Sequence, residues 1–203
     1  MFRYRWCIVL IALGFTQVHS VMGDVVAGDD AVFGAGALTL DTDQGLEFLD
    51  LDRTTGRSVD RIMTEFGAGG DFEGFRRASA DQVLRMIGNA GFQAPNLGMT
   101  VAIAPDPAFA QFVTMTSVVG NFGGIRISRG TVVDEPVAGR SYMVALEDYI
   151  NLSSNDFITA AISASHFDVS GSIGHWLVRD SVPAPGWVGV LMVSGLAVGV
   201  RRR

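Results

Sequence analysis

The clearest periodicity in the chain lies just past residue 79. Ala80, Val83, Leu84 and Ile87 recur at i, i+3, i+4 and i+7, the spacing that lines one face of a helix. Ser79 and Gln82 stand at the N-cap and N3 positions of that helix. There each side chain can satisfy a backbone N–H of the first turn, a capping box. Gly88 to Gly91 ends the run. A shorter helix is predicted over 59–66, capped by Ser58, with Ile62, Met63 and Phe66 on one face and Gly67 as its stop. A third opens with Asp106 as N-cap and Pro107 in the first helical position. It carries Phe109, Phe112, Val113 and Val119 near one face and runs up to Gly120.

Elsewhere the pattern has period two. Strands are predicted at 38–40 and 46–51 and, past a turn at 121–124, at 125–133, 141–149, 157–163 and 173–179. Residues 24–36 are polar and glycine-rich and read as a loose lead-in. Thr54-Thr55-Gly56 and Gly67 to Gly70 read as turns. The expected class is α+β, with short helices of the first half packed on an antiparallel sheet from the second. One domain is expected over 24–180, long enough to bury a core.

Charge and composition narrow the chemistry. The chain has 203 residues and no lysine, so all 15 basic residues are arginine. Schiff-base and P-loop chemistry, which need a lysine amine, are excluded. Between residues 21 and 180 there are 21 acidic and 10 basic residues, a net charge of −11. Such a surface repels nucleic acid. Cys7 is the lone cysteine and lies in the N-terminal apolar segment, so residues 24–180 hold no disulfide and no thiolate.

Both ends read as addresses. Arg3 and Arg5 precede an apolar run over 6–15 that is too short to span a bilayer. Val18-His19-Ser20 then suits signal peptidase, giving a signal peptide over 1–20 cut after Ser20, or over 1–23 if the second candidate, Val21-Met22-Gly23, is used. At the other end, 186–200 carries no charge. As a helix it would be about 22 Å long, short against a bilayer core of about 30 Å. Pro183 and Pro185 bar its extension backwards, and Arg201, Arg202 and Arg203 act as a cytoplasmic stop. A plain tail anchor is one reading of this segment; a transient anchor in the inner membrane is the other.

The order Val182-Pro183-Ala184-Pro185, short apolar run, arginine cluster resembles the PEP-CTERM sorting signal of exported bacterial proteins. Ala184 stands where that family usually has glutamate. The resemblance implies recognition by an exosortase, cleavage near the tetrapeptide, and transfer to the cell surface or exterior. If glutamate is required, the protein would remain tail-anchored, facing outward. A second resemblance covers about forty residues. Phe48-Leu49-Asp50-Leu51, Thr54-Thr55-Gly56-Arg57-Ser58, Gly69-Gly70, Gly74-Phe75-Arg76-Arg77-Ala78-Ser79 and Asp81-Gln82-Val83 follow in order. The series is similar to a central region of many PEP-CTERM proteins. Phe48 and Phe75 stand there for tryptophan and Gln82 for glutamate. Gly174-His175-Trp176-Leu177-Val178-Arg179 matches that group's closing strand. These resemblances imply an exported surface or matrix protein associated with exopolysaccharide or biofilm, with no activity attached. A Gly-aromatic-Arg step into a helix and a late arginine-bearing strand also give a fold-level analogy to C-type-lectin-like domains.

Candidate chemistry is sparse. Asp41 and Asp43 begin a partial calcium loop, but Gln44 precedes the glycine and Asp52 stands where the loop requires glutamate. His166 and Asp168 form a His-x-Asp pair, fewer ligands than a catalytic zinc site uses. Asp50 and Asp52 would share one face of a strand. Paired carboxylates there would suit glycoside cleavage if their environments differ, or ion pairs with Arg76 and Arg77. His175 is expected to make a structural hydrogen bond. No Gly-x-Ser-x-Gly elbow occurs. No catalytic residue and no cofactor is assigned. The alternatives to a surface or matrix role are a carbohydrate-binding module, with Trp176 or Tyr149 as exposed aromatics, and a secreted hydrolase.

Overall fold

The computed structural model describes residues 25–150 and 154–181. The signal segment 1–20, its alternative end at 23, and the tail from Val182 to Arg203 with its apolar stretch 186–200 lie outside the described residues. Among those described, no helix is long and apolar enough to cross a membrane.

The fold is α+β, with two mostly antiparallel sheets and few, short helices. In chain order the elements are β1 (Val25–Asp30), β2 (Gly34–Asp41), β3 (Leu46–Leu49), a 3-10 turn (Leu51–Thr54), α1 (Val59–Met63) and β4 (Arg76–Arg77). They continue with α2 (Ala80–Asn89), β5 (Thr100–Ile103), α3 (Pro107–Met115), β6 (Gly120–Phe122), β7 (Ile125–Thr131) and β8 (Arg140–Tyr149). The last are β9 (Asp156–Ser165), β10 (Gly174–His175) and β11 (Leu177–Asp180). One sheet runs β1-β2-β3-β11-β4, the other β10-β7-β8-β9-β5, with β6 also paired to β7. Only the short β10–β7 pairing is parallel. In the first sheet Val25, Asp41, Leu46 and Asp180 lie in one row across four neighbouring strands.

Alternation along β3 and β11 serves two cores, because successive strand residues face opposite sides of a sheet. Phe48 and Val178 enter the main core with Val83, Met86 and Ile87 of α2, Phe109 and Phe112 of α3, and Val144 and Leu146 of β8. Leu49 and Leu177 face the other way, onto Leu38, Ile62, Phe72 and Phe75. The first sheet is therefore covered on both sides.

The chain changes sheets at one residue. The sequence predicts a single strand over 173–179; in the fold it is β10 and β11, separated by Trp176. The Trp176 N–H donates to the Thr131 carbonyl of β7 at 3.0 Å, and its own carbonyl accepts from the Ala78 N–H at 2.8 Å. Its indole Nε1 donates to the Val144 carbonyl at 3.2 Å. The side chain is 1 % exposed, so it is not the exposed sugar-binding aromatic the sequence suggested. Two glycines make room at this crossing. A Cβ on Gly174 would sit 2.5 Å from the Leu51 carbonyl oxygen, and one on Gly130 would sit 2.5 Å from Leu51 Cδ2 and 3.2 Å from Trp176 N.

Other boundaries differ from expectation for local reasons. The supposed lead-in over 24–36 forms the β1–β2 hairpin, closed by Asp30 Oδ1, which accepts from the N–H groups of Val32 and Phe33. Strands of the first half thus build most of a second sheet, completed by β11, where one sheet from the second half was expected. The strand predicted at 46–51 stops at Leu49, because the Leu51 N–H turns to the Thr116 carbonyl and its side chain enters the main core. The 59–66 helix closes at Met63, whose side chain is 56 % exposed while Ile62 is buried. The third helix ends at Met115, followed by Ser117 with φ at 68°, and Val119 donates to the Ile127 carbonyl of β7. The predicted turn at 121–124 narrows to Gly123-Gly124 because Asn121 pairs within β6. The capping box on α2 is present with both of its hydrogen bonds.

Removing the crossing residue tests this account. Trp176→Ala is expected to cost about 3–5 kcal/mol, through lost packing and cavity formation. Urea unfolding followed by circular dichroism measures it. A cost within about 0.5 kcal/mol, the range of ordinary surface substitutions, would show that the two sheets hold together without it.

Candidate functional site

Against the second core lies a cleft of about 420 Å³. Its walls come from separate segments: Phe33 from the β1–β2 turn, Arg57 from the loop before α1, Asp71 and Phe75 from the loop before β4, and Arg179 from β11. Arg179 reaches Asp30 Oδ2 with Nη2 and Glu47 Oε2 with Nε, both at 2.7 Å. Its guanidinium carbon stands 4.6 Å from the centre of the Phe75 ring. Arg57 repeats the arrangement, with Nη1 at 2.7 Å from Asp71 Oδ2 and the guanidinium carbon 4.9 Å from the Phe72 ring centre. Phe33 joins the two halves. It stacks on Phe72 at 5.9 Å between centroids and meets Phe75 edge-on at 6.1 Å.

The electrostatics fix these charges. Burial disfavours an ionised Asp30, but the N–H groups of Phe33 and Val32 and the Arg179 guanidinium outweigh it and hold the carboxyl below its ordinary range. Burial likewise opposes a charged Arg179, and hydrogen bonds and charge from Glu47 and Asp30 reverse that. Aromatic faces beside paired carboxylates and guanidiniums suit binding of a polyhydroxylated molecule. The lining contains no serine, cysteine, histidine or lysine; its ionisable groups are carboxylates and guanidiniums.

Four stretches singled out in the sequence meet here. Arg57 belongs to the Thr-Thr-Gly-Arg-Ser stretch, Gly70 to the Gly-Gly pair, Phe75 to the Gly-Phe-Arg step, and Arg179 to the closing strand. Sequence reasoning assigned none of them to a site. The signal that could have found them was the ordered series itself.

The residues that were candidates lie elsewhere. Asp50 and Asp52 do not share a strand face. Asp50 is 7 % exposed, whereas Asp52 is exposed and sits 3.5 Å from Arg53 Nε. Asp50 Oδ2 accepts from the Ser117 hydroxyl at 3.0 Å, and among the described residues Oδ1 has no partner. Burial foremost, with the charge of Asp52 adding, pushes the Asp50 carboxyl up to about 7. Neither arginine expected to pair with it does so. Arg76 bonds Asp180 at 3.1 Å, and Arg77 donates to the Ser141 hydroxyl at 2.6 Å and to the Val132 carbonyl.

His166 and Asp168 are not brought together. His166 Nε2 lies 3.1 Å from Ser141 Oγ and 3.2 Å from Glu135 Oε1, while Asp168 Oδ2 accepts from the Ser165 N–H. Serine and carboxylate share one ring nitrogen, whereas a catalytic triad uses both, and Ser141 is fully buried. His175 Nε2 is 2.9 Å from the Arg57 carbonyl and Nδ1 is 2.7 Å from Thr131 Oγ. A carbonyl only accepts, so we assign the proton to Nε2. Burial foremost, with the Arg77 charge adding, pushes this imidazole down to about 4. It is a neutral strut beside Trp176. Asp41 is buried, and its oxygens accept from the Gln44 N–H and side-chain amide and from Asn89 Nδ2, which also approaches Asp43 at 3.4 Å. Among the described residues no three His, Cys, Asp or Glu side chains group as metal ligands. Tyr149 packs edge-on to Phe157 and lines a second cleft of about 370 Å³. In that cleft Asp148 pairs with Arg126, and Asp156 closes the β8–β9 connection by accepting from the Tyr149 N–H.

Asp50 makes stability depend on pH with a definite sign. Its carboxyl titrates near 7 in the fold, against an ordinary 3.8. The folded state therefore holds the proton more tightly. The contribution is fully present below pH 3.8 and is lost as pH rises to about 7. At about 1.4 kcal/mol per pK unit the loss approaches about 4 kcal/mol. Asp50→Asn should match the parent near pH 4 and exceed it in stability at pH 8. Urea melts across that range decide it, and parallel profiles for the two proteins would reject the assignment.

Compared with models of protein families, with curated proteins and with solved structures, the chain finds no match.

Proposed function

We propose that this is an exported surface or matrix protein, sorted by an exosortase through its C-terminal signal, that binds extracellular polysaccharide without catalysis. Export rests on the two ends: Arg3 and Arg5 before a short apolar run cut after Ser20, and Val182 to Pro185 before an uncharged stretch and three arginines. Signal peptidase and the exosortase are the processing partners, and the inner membrane is a transient one. Residues 186–200 serve as the anchor helix until cleavage.

The observation that carries the binding role is the meeting of four separated stretches on the Phe33–Phe75 cleft. Its two guanidiniums are each held by carboxylates, and its rings are layered. The analogy to lectin-like domains draws support from one contact. The aromatic of the Gly-Phe-Arg step, Phe75, lies against the late-strand arginine, Arg179. A hydrolase reading has no comparable support, since the buried serine and the histidine beside it lack the geometry for nucleophilic attack.

Two measurements test the proposal. An epitope tag placed after Arg203 should be missing from the extracellular form in cells that have an exosortase, and should persist in cells that lack one. A tag retained on the exported protein in both would overturn sorting by cleavage. For binding, Phe33→Ala should weaken retention on a polysaccharide by about tenfold, or about 1.4 kcal/mol, with the circular dichroism spectrum unchanged. Equal retention of the folded variant would remove the cleft from consideration.

A further inference from the structure

Resting on that binding role, we infer that the cleft takes an uncharged glycan and excludes acidic ones such as uronate-bearing chains. Proteins recognise a sugar carboxylate most effectively with an arginine fork that is free to accept both oxygens. Neither guanidinium in this cleft is free. Arg57 is held by Asp71 at 2.7 Å, and Arg179 is held between Asp30 and Glu47, both at 2.7 Å. An incoming carboxylate would have to displace one already in place and leave it without its partner beside the new charge. The surroundings add to the exclusion, since residues 21–180 carry a net charge of −11.

Asp30, Glu47 and Asp71 face only the two guanidiniums, and Glu73 Oε2 accepts from the Gly69 N–H at 2.8 Å, so carboxylates outnumber cations here and oppose a further anion. An uncharged polyol breaks none of these pairs. A guanidinium has five N–H donors and a carboxylate about four lone-pair directions, more than these ion pairs engage. A hydroxyl, which donates and accepts at once, can therefore bridge carboxylate to guanidinium across the intact pair. The half-buried Phe33 ring supplies an apolar face for the C–H side of a sugar ring. Each ion pair thus doubles as a filter against acidic sugars.

The test uses the full chain in a detergent free of sugar groups. Binding is measured by calorimetry to three oligosaccharides of equal length: a neutral glucan, a polyuronate and a polyglucosamine with free amines. The neutral chain is expected to bind, with affinity changing less than about twofold between low and high salt, because no net charge is exchanged. The polyuronate is expected to bind at least about tenfold more weakly. Asp71→Asn, which releases Arg57, should raise polyuronate affinity relative to the parent chain. Preference for the polyuronate or the polyglucosamine by the parent chain would overturn the inference and leave the binding role standing. So would an Asp71→Asn variant, folded by circular dichroism, that gains nothing for polyuronate. Absence of binding in every arm would remove the binding role and the inference with it.

Discussion

Between His175 and Leu177 the chain leaves one sheet and enters the other, and a single buried indole fills the gap. Much of the structure follows from that crossing. The Trp176 peptide bonds to Thr131 on one side and Ala78 on the other, so the two sheets share a backbone hinge point. Gly130 and Gly174 have to be glycine because Leu51 and Trp176 occupy the space a methyl group would need. His175 has to stay neutral because it is packed between Thr131 and the Arg57 carbonyl, where a charged ring would lack solvation. Thr54 stitches the same spot, accepting from the His175 N–H at 2.7 Å and donating to the Leu51 carbonyl at 2.8 Å. Arg57 is in turn held at the rim of the cleft by its backbone contact to that histidine. The candidate site therefore rests on the crossing by way of one imidazole.

What could be read from the sequence was what is decided locally. Helix α2 has its cap, its apolar stripe and its glycine stop within about a dozen residues; cap and stop are as expected, and in the stripe Met86 is fully buried where Leu84 is only partly so. Strands β7, β8 and β9 declare themselves as runs bounded by glycine, proline and Asp, Asn or Ser clusters. The β1–β2 hairpin did not, because its outer strand is polar and its stability comes from pairing with Leu38 to Asp41 rather than from its own pattern. Strand β4 is two arginines whose only strand character is partnership with β11. The burial of Trp176 is set by partnership in the same way. Its neighbours in sequence do not reveal that two sheets close over it.

The site was less legible than the fold. Asp50 and Asp52 were paired on the assumption that a strand continued, and the chain turned instead to bury Leu51. The cleft residues are far apart in the chain, and Phe33 lay in a stretch that looked structureless. No period or spacing connects them. The absence of lysine is informative in retrospect. Arg57, Arg126 and Arg179 each hold a carboxylate, and Arg57 and Arg179 also lie over a ring; a planar guanidinium combines those roles where an ammonium is a point charge. An acidic domain with ten arginines spends several of them on ion pairs that hold its own fold together.

The row formed by Val25, Asp41, Leu46 and Asp180 has a mechanical consequence. It brings the two ends of the described fold to one side of the first sheet, three strand spacings or about 14 Å apart. Whatever is joined to the chain after Ser181 pulls first on β11. That strand is not an edge. It is bonded along its length to β3 and, at Leu177 and Val178, to β4. A tug along the strand loads those bonds together in shear instead of opening them one at a time, and it transmits tension straight to the indole that joins the sheets. The point of attachment is thus an inner strand of its sheet, braced on both sides.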